Sequence, residues 1–287
     1  MSGADTAAPA GPRVFVCGHS FMIFTAQLLP PLAQAAHLPY VSAGSQMLGG
    51  SRVIQHWDLP DERNPAKTAL RNGRVDVLTL SPHVLLPDPG IDPFAKLGLA
   101  ANPRLRVLVQ ASWPARDGVK DRAFHNVQRN ASTVASLRRM QEAHRKLWLD
   151  KLEAQVRALN QALGRDAVFI IPVSDAVFAL RERIAEGKAP GLTEQTDLFL
   201  DDLGHPQLPL AELVTYCHFA AIYQRSPVGL PVPEKLQGHA QAPELNRLLQ
   251  QLAWDAVKNH PLGGVPSGAR AGAAPATGAA PKAGSNS

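Results

Sequence analysis

Two short polar segments of this chain carry residue types that can share the work of nucleophilic catalysis. Near the start, the apolar run Val14–Cys17 leads directly into Gly18-His19-Ser20-Phe21. A serine between a strand and the helix that follows it meets outward-pointing backbone N–H groups and the positive end of the helix dipole, which favour developing negative charge. Gly18 permits the tight turn that presents it. The segment is not the Gly-x-Ser-x-Gly elbow of α/β-hydrolases, and taken alone Ser20 reads equally well as an N-cap. Toward the other end stands Asp201-Asp202-Leu203-Gly204-His205-Pro206. A serine hydroxyl needs a general base, and an imidazole base needs a partner that holds its tautomer. Asp202 and His205 supply both on one loop, with Leu203 and Gly204 leaving room for the turn between them.

The elements that must bring these segments together can be read from hydrophobic periodicity. Apolar runs occur at Val14–Cys17, Pro39–Val41, Val75–Leu80, Leu105–Val109 and Val168–Ile171. All but the Pro39 run are continuous rather than alternating, as expected for strands covered by helices on both faces. Phe21–Ala36 has apolar residues at roughly helical spacing, with Pro30-Pro31 expected to bend or end it. Ala131–Leu163 keeps one broad apolar stripe and predicts a single long helix, with Asn130 as N-cap and Gly164 as its stop. A last helix is expected over Leu210–Tyr223. This alternation predicts an α/β fold, a three-layer α/β/α sandwich with a doubly wound, mainly parallel five-stranded sheet. In such folds chemistry gathers beyond the C-terminal ends of the strands, where both polar segments fall.

A serine after the first strand combined with Asp-x-x-His-Pro before the last helix resembles the SGNH, or GDSL-type, hydrolases, over nearly all of Arg13–Pro231. Gly18-His19-Ser20 stands where that family has Gly-Asp-Ser or Gly-Asn-Ser, and Tyr216–Leu230 looks like the closing helix and Ser-Pro turn of its esterase-like members. The resemblance implies a flavodoxin-like fold and a serine esterase, with Ser20 as nucleophile, His205 as base and Asp202 as orienting acid, and with no cofactor or metal. It also implies an oxyanion hole built from the Ser20 N–H, a glycine N–H after the second strand and an asparagine after the third. Gly44 and Gly50 both qualify for the glycine. Gly50 is favoured, because Gly49-Gly50-Ser51 followed by His56-Trp57 looks like a subgroup with that turn and pair. The asparagine is missing: the third strand ends Thr79-Leu80-Ser81-Pro82-His83, and no Asn follows until Asn102. Either Ser81 or His83 donates instead, or the hole has two donors, at a cost on the order of 100-fold in turnover. In Gln110-Ala111-Ser112-Trp113-Pro114, Trp113 is implied to lie near the site, as an apolar or sugar-stacking wall or as packing for the sheet edge. Gln110 is a weaker candidate for the oxyanion region. The implied substrates are short acyl esters, O-acetyl groups on carbohydrate above all. The same triad could serve an O-acyltransferase, and a non-catalytic carbohydrate-binding relative could keep the fold.

Composition bounds these readings. The chain has 287 residues, 45% of them apolar and 18% charged, enough hydrophobic material for a full core and unlike a wholly disordered chain. Residues 1–12 and the Gly/Ala/Pro-rich 263–287 are expected to be a disordered arm and tail around one domain at 13–262. The net charge is +5. The basic cluster Arg138-Arg139 with Arg145-Lys146 reads as a solvated helix face without interleaved aromatics, so no nucleic-acid partner is implied. Two cysteines, Cys17 and Cys217, make no disulfide framework. No apolar stretch is long enough for a transmembrane helix and no signal peptide is visible, which suits a cytoplasmic protein or an exported one with a trimmed start. The histidines show no metal-ligand spacing, and neither a phosphate loop nor a dinucleotide fingerprint is present.

Overall fold

Five parallel strands form one sheet in the spatial order β2-β1-β3-β4-β5, where β1 is Arg13–Gly18, β2 Val41–Met47, β3 Val77–Leu80, β4 Arg106–Gln110 and β5 Val168–Ile171. The computed structural model describes residues 11–120 and 123–266. The order is doubly wound, with its switch point between β1 and β3, so the loops after these two strands open a crevice at the C-terminal edge. Alternate residues of each strand serve different cores. Val14 and Val16 pack with Leu108 and Ile171 beneath helices α1 (Thr25–Ala35), α7 (Val173–Ala185), α8 (Leu208–Tyr223) and α9 (Ala242–Asn259). Phe15 and Cys17 face the opposite layer with Leu78, Val107 and Ile170, under α2 (Val53–Trp57), α3 (Pro65–Arg71), α4 (Ile91–Ala101) and α6 (Asp150–Leu163). Burial on both faces is the physical reason the strands read as continuous apolar runs. The three-layer α/β class expected from the sequence is the fold observed. Among the described residues no helix is long and apolar enough to cross a membrane.

Several expected boundaries move. The second strand is not Pro39–Val41 but Val41–Met47, whose sequence Val-Ser-Ala-Gly-Ser-Gln-Met leaves only Gln46 buried. It is an edge strand, so neither of its faces requires an apolar run. Gly44 lies inside it, beside a register shift opposite Val14 and Phe15, and not in the loop beyond. The long helix begins at Val134, capped by Thr133, which accepts from Ser136 N–H; Asn130 instead accepts from Thr196 N–H on a neighbouring turn. One π-helical turn, Arg145–Leu149, separates α5 (Val134–His144) from α6, and Gly164, with φ 66°, ends α6 as expected. Pro30 and Pro31 sit within α1 and do not end it. Helix α8 is not the last: α9 follows and packs against it. The expected arm and tail fall mostly outside the described residues. Gly263–Pro266 are described, and Gly264 belongs to the folded part: its carbonyl accepts from Gln224, and its backbone packs on Phe169.

Candidate active site

Strand β1 ends at Gly18, where close packing leaves little room for a side chain: a Cβ there would lie 2.5 Å from Met22 Cε and 3.1 Å from Ser81 Cβ. The chain then turns sharply, with the His19 carbonyl accepting from both Met22 N–H and Ile23 N–H at 3.0 Å before α1 begins at Thr25. Ser20 rides on this turn. Its Oγ lies 2.9 Å from His205 Nε2, although 185 residues separate the two in sequence. His205 Nδ1 in turn lies 2.6 Å from Asp201 Oδ2.

This last contact corrects an expectation. Asp202, expected to orient His205, faces away and receives Asn126 N–H at 2.7 Å, with His125 Nδ1 at 3.3 Å. The loop geometry explains the exchange. Asp201 Oδ1 accepts the N–H groups of Gly204 and His205 at 2.9 and 3.1 Å, which folds its carboxylate back over its own loop and leaves Oδ2 beside the ring. Burial opposes ionisation of Asp201, but the hydrogen bonds from the His205 ring and the two N–H groups outweigh it and hold the carboxyl below its usual range. An ionised carboxylate only accepts, so Nδ1 must carry the proton. Nε2 is then a lone pair aimed at the Ser20 hydroxyl.

The loop is fastened from behind by Trp113 and by residues the sequence did not single out. Arg129 donates to the carbonyls of Asp201 and Asp202 at 3.1 and 3.0 Å, and its guanidinium lies over the rings of Phe199 and Phe124. It is fully buried and paired with Asp117, which Arg181 also holds through contacts of 3.1 and 2.7 Å. Trp113 Nε1 donates to the Gly204 carbonyl at 3.0 Å, and Arg116 N–H to that of Leu203 at 3.0 Å. No periodicity marks these residues, because they act by reaching across the fold to carbonyls.

The remaining expected residues divide into turn, network and wall. Gly49 and Gly50 form a turn after β2, Gly50 with φ 59°, and no atom lies within 4 Å of where a Cβ would stand on either. Behind this turn Ser51 Oγ donates to the Leu48 carbonyl and lies 2.8 Å from His56 Nε2. His56 is wholly buried, which pushes its pKa down to about 4, and its Nδ1 faces the Gln46 amide nitrogen at 3.2 Å. Ser81, a candidate oxyanion donor, is buried and lies 3.0 Å from His19 Nε2 and 3.5 Å from Ser112 Oγ. Gln110 spends both ends of its amide inside: it donates to Phe21 O and Ser112 Oγ at 3.0 and 2.8 Å and faces His218 Nε2 at 2.8 Å. His83 is half-buried, 5.2 Å from the His19 ring. Trp113 stacks on Phe21 at 4.6 Å and is 4% exposed, so packing the site occupies the face expected to stack on a sugar. Phe21 also meets His205 edge-on at 5.5 Å.

Comparison with known proteins adds little. No family profile and no curated protein sequence matches the chain. One solved structure does, a candidate SGNH hydrolase from Slackia heliotrinireducens, at 18% identity over 72% of this chain and 97% of that one, with a TM-score of 0.43.

Proposed function

We propose that the protein is a serine esterase that cleaves short acyl esters, O-acetyl esters among them, through Ser20, His205 and Asp201. The observation that carries this reading is the directed chain of contacts, 2.9 Å from Ser20 Oγ to His205 Nε2 and 2.6 Å from His205 Nδ1 to Asp201 Oδ2. Ser20 Oγ attacks the ester carbonyl as Nε2 takes its proton, and Asp201 stabilises the imidazolium that forms. The resulting oxyanion is received by the Ser20 N–H, which is paired with no acceptor among the described residues, and by the N–H of Gly50. On collapse the C–O bond breaks, and the imidazolium returns its proton to the leaving alcohol. Water then repeats the sequence on the acyl-enzyme, releasing the acid and restoring Ser20. The asparagine expected after β3 has no counterpart in Thr79-Leu80-Ser81-Pro82-His83, which favours modest turnover.

The resemblance to SGNH esterases supports the short acyl group. Hydrolysis of p-nitrophenyl acetate by the purified chain and by Ser20→Ala tests the reading. The wild type is expected to exceed the variant by at least ~10³-fold in kcat/KM; equal rates would remove Ser20 from the chemistry.

A further inference from the structure

A cleft opens beside the turn that carries Ser20, and among the described residues its charged lining is all of one sign. It encloses about 440 Å³ between the β3–α4 and β4–α5 connections, within the size range of small-molecule sites. His19 and Phe21, the residues on either side of Ser20, both line it. Two cations line it, Arg116 and Lys120, and no aspartate or glutamate does among the described residues. Burial, helped for His19 by neighbouring His83, holds His19, His83 and His144 below the ordinary imidazole pKa, so they enter the cleft as neutral rings.

Arg116 is the unusual member. Its Nε is shielded from water with no acceptor, and no carboxylate pairs with its guanidinium among the described residues. The backbone that presents it is left-handed over consecutive residues, with φ 50° at Arg116, 53° at Asp117 and 79° at Gly118. Two non-glycine residues in that region cost energy. The loop's own carboxylate compensates by turning inward: Asp117 is buried between Arg181 and Arg129, and Arg129 also anchors the His205 loop. The same loop therefore consumes its negative charge inside and leaves Arg116 toward the cleft. A guanidinium matches a carboxylate or sulfate in geometry as well as charge.

We infer that this cleft selects esters whose alcohol carries an anionic oxygen group, a carboxylate or a sulfate, held by Arg116 with Lys120 beside it. The acyl group of the proposed reaction is short, so the charge resides on the alcohol. The assignment of that alcohol to an ester rests on the esterase reading, whereas its binding does not.

Binding is measured by calorimetry on the full chain carrying Ser20→Ala, with methyl glucuronoside, methyl glucoside 6-sulfate and neutral methyl glucoside. At least one charged glycoside is expected to bind about tenfold or more tightly than the neutral one, and which one does so distinguishes carboxylate from sulfate. Adding Arg116→Gln is expected to remove most of the difference, Arg116→Lys to keep most of it, and Lys120→Gln to reduce it partly. In the active chain, the ratio of kcat/KM for the acetylated charged glycoside over the acetylated neutral one falls correspondingly in Arg116→Gln, through KM. Equal binding of charged and neutral glycosides, or a charge preference untouched by Arg116→Gln in a variant that unfolds at the wild-type temperature, overturns the inference. Charge-selective binding without hydrolysis of any ester sinks the esterase reading and leaves this one standing.

Discussion

Among the described residues three serine–histidine pairs lie at almost the same separation, yet only one of them is wired to take a proton from serine. Ser20 and His205 are 2.9 Å apart, Ser51 and His56 2.8 Å, and Ser81 and His19 3.0 Å. What differs is the far nitrogen. His56 Nδ1 faces an amide donor, Gln46 Nε2, and His19 Nδ1 accepts Phe21 N–H at 3.3 Å. In both rings the proton must then sit on Nε2 and point at the serine, the wrong direction for a base. Of the three rings, only that of His205 has a carboxylate at Nδ1. Environment follows the wiring: His56 and His19 are 0% and 2% exposed, and each is pushed down to about 4, His56 by burial and His19 by burial together with His83. Distance between serine and histidine is thus a poor guide to chemistry; the partner of the second nitrogen decides.

Exchanging that partner should have the largest effect. Asp201→Asn is expected to lower kcat about 10³- to 10⁴-fold, because an amide lets the ring adopt the other tautomer. Asp202→Asn should change kcat less than about tenfold, since it touches the loop only through Asn126 and His125. Steady-state kinetics on an acetyl ester separates the two, and the reverse ranking would restore Asp202 as the orienting acid.

Loosening the loop without touching the pair is the next test. Arg129→Met removes the donors to Asp201 and Asp202 and leaves Asp117 with Arg181 alone. The expected result is a kcat lower by about 10- to 100-fold, with stability reduced by about 3–5 kcal/mol. Chemical denaturation and kinetics together check this, and a normal kcat in the folded variant would show that the loop holds itself.

The neutral pairs make their own prediction through pH. The unfolded chain protonates His19 and His56 near pH 6.5, whereas the folded protein resists until about pH 4. The unfolded state therefore binds more protons across that window. Their contribution to stability is complete above about 6.5 and is lost progressively as the pH falls toward 4. Thermal unfolding should show a Tm lower by roughly 5–10 °C at pH 5 than at pH 7. An equal Tm at the two values would mean that these rings are not held neutral.

The smallest change in activity is expected from Ser51→Ala. It orphans a buried His56 Nε2–H, costing about 1–3 kcal/mol of stability. Since Ser51 only closes the Gly49–Gly50 turn, esterase activity should fall less than about tenfold. A loss like that of Ser20→Ala would mean the comparison has been drawn the wrong way round.

How much of this was legible in the sequence depended on whether a residue acts locally. The four continuous apolar runs identified the two-faced strands, because burial on both sides leaves no polar alternation. The edge strand β2 was misplaced because exposure removes that signal. The meeting of Ser20 and His205 was readable from their positions, one after the first strand and one before a C-terminal helix, together with the family resemblance, and they lie 2.9 Å apart. Asp201 was not, since two adjacent aspartates offer the same chemistry, and only the turn made by the Gly204 and His205 N–H groups chooses between them. Arg129 and Asp117 left no trace in the sequence, because a buried ion pair that reaches across the fold has no period and no spacing. Trp113 was expected near the site and is there, but stacked on Phe21 and bonded to Gly204 instead of open to a sugar.

Covalent labelling distinguishes which of the three similar pairs carries the nucleophile. The full chain is treated with a fluorophosphonate, and the modified residue is located by peptide mass spectrometry. A single adduct is expected on Ser20, absent in His205→Ala. An adduct on Ser51 or Ser81, or no adduct on folded wild-type protein, would contradict it.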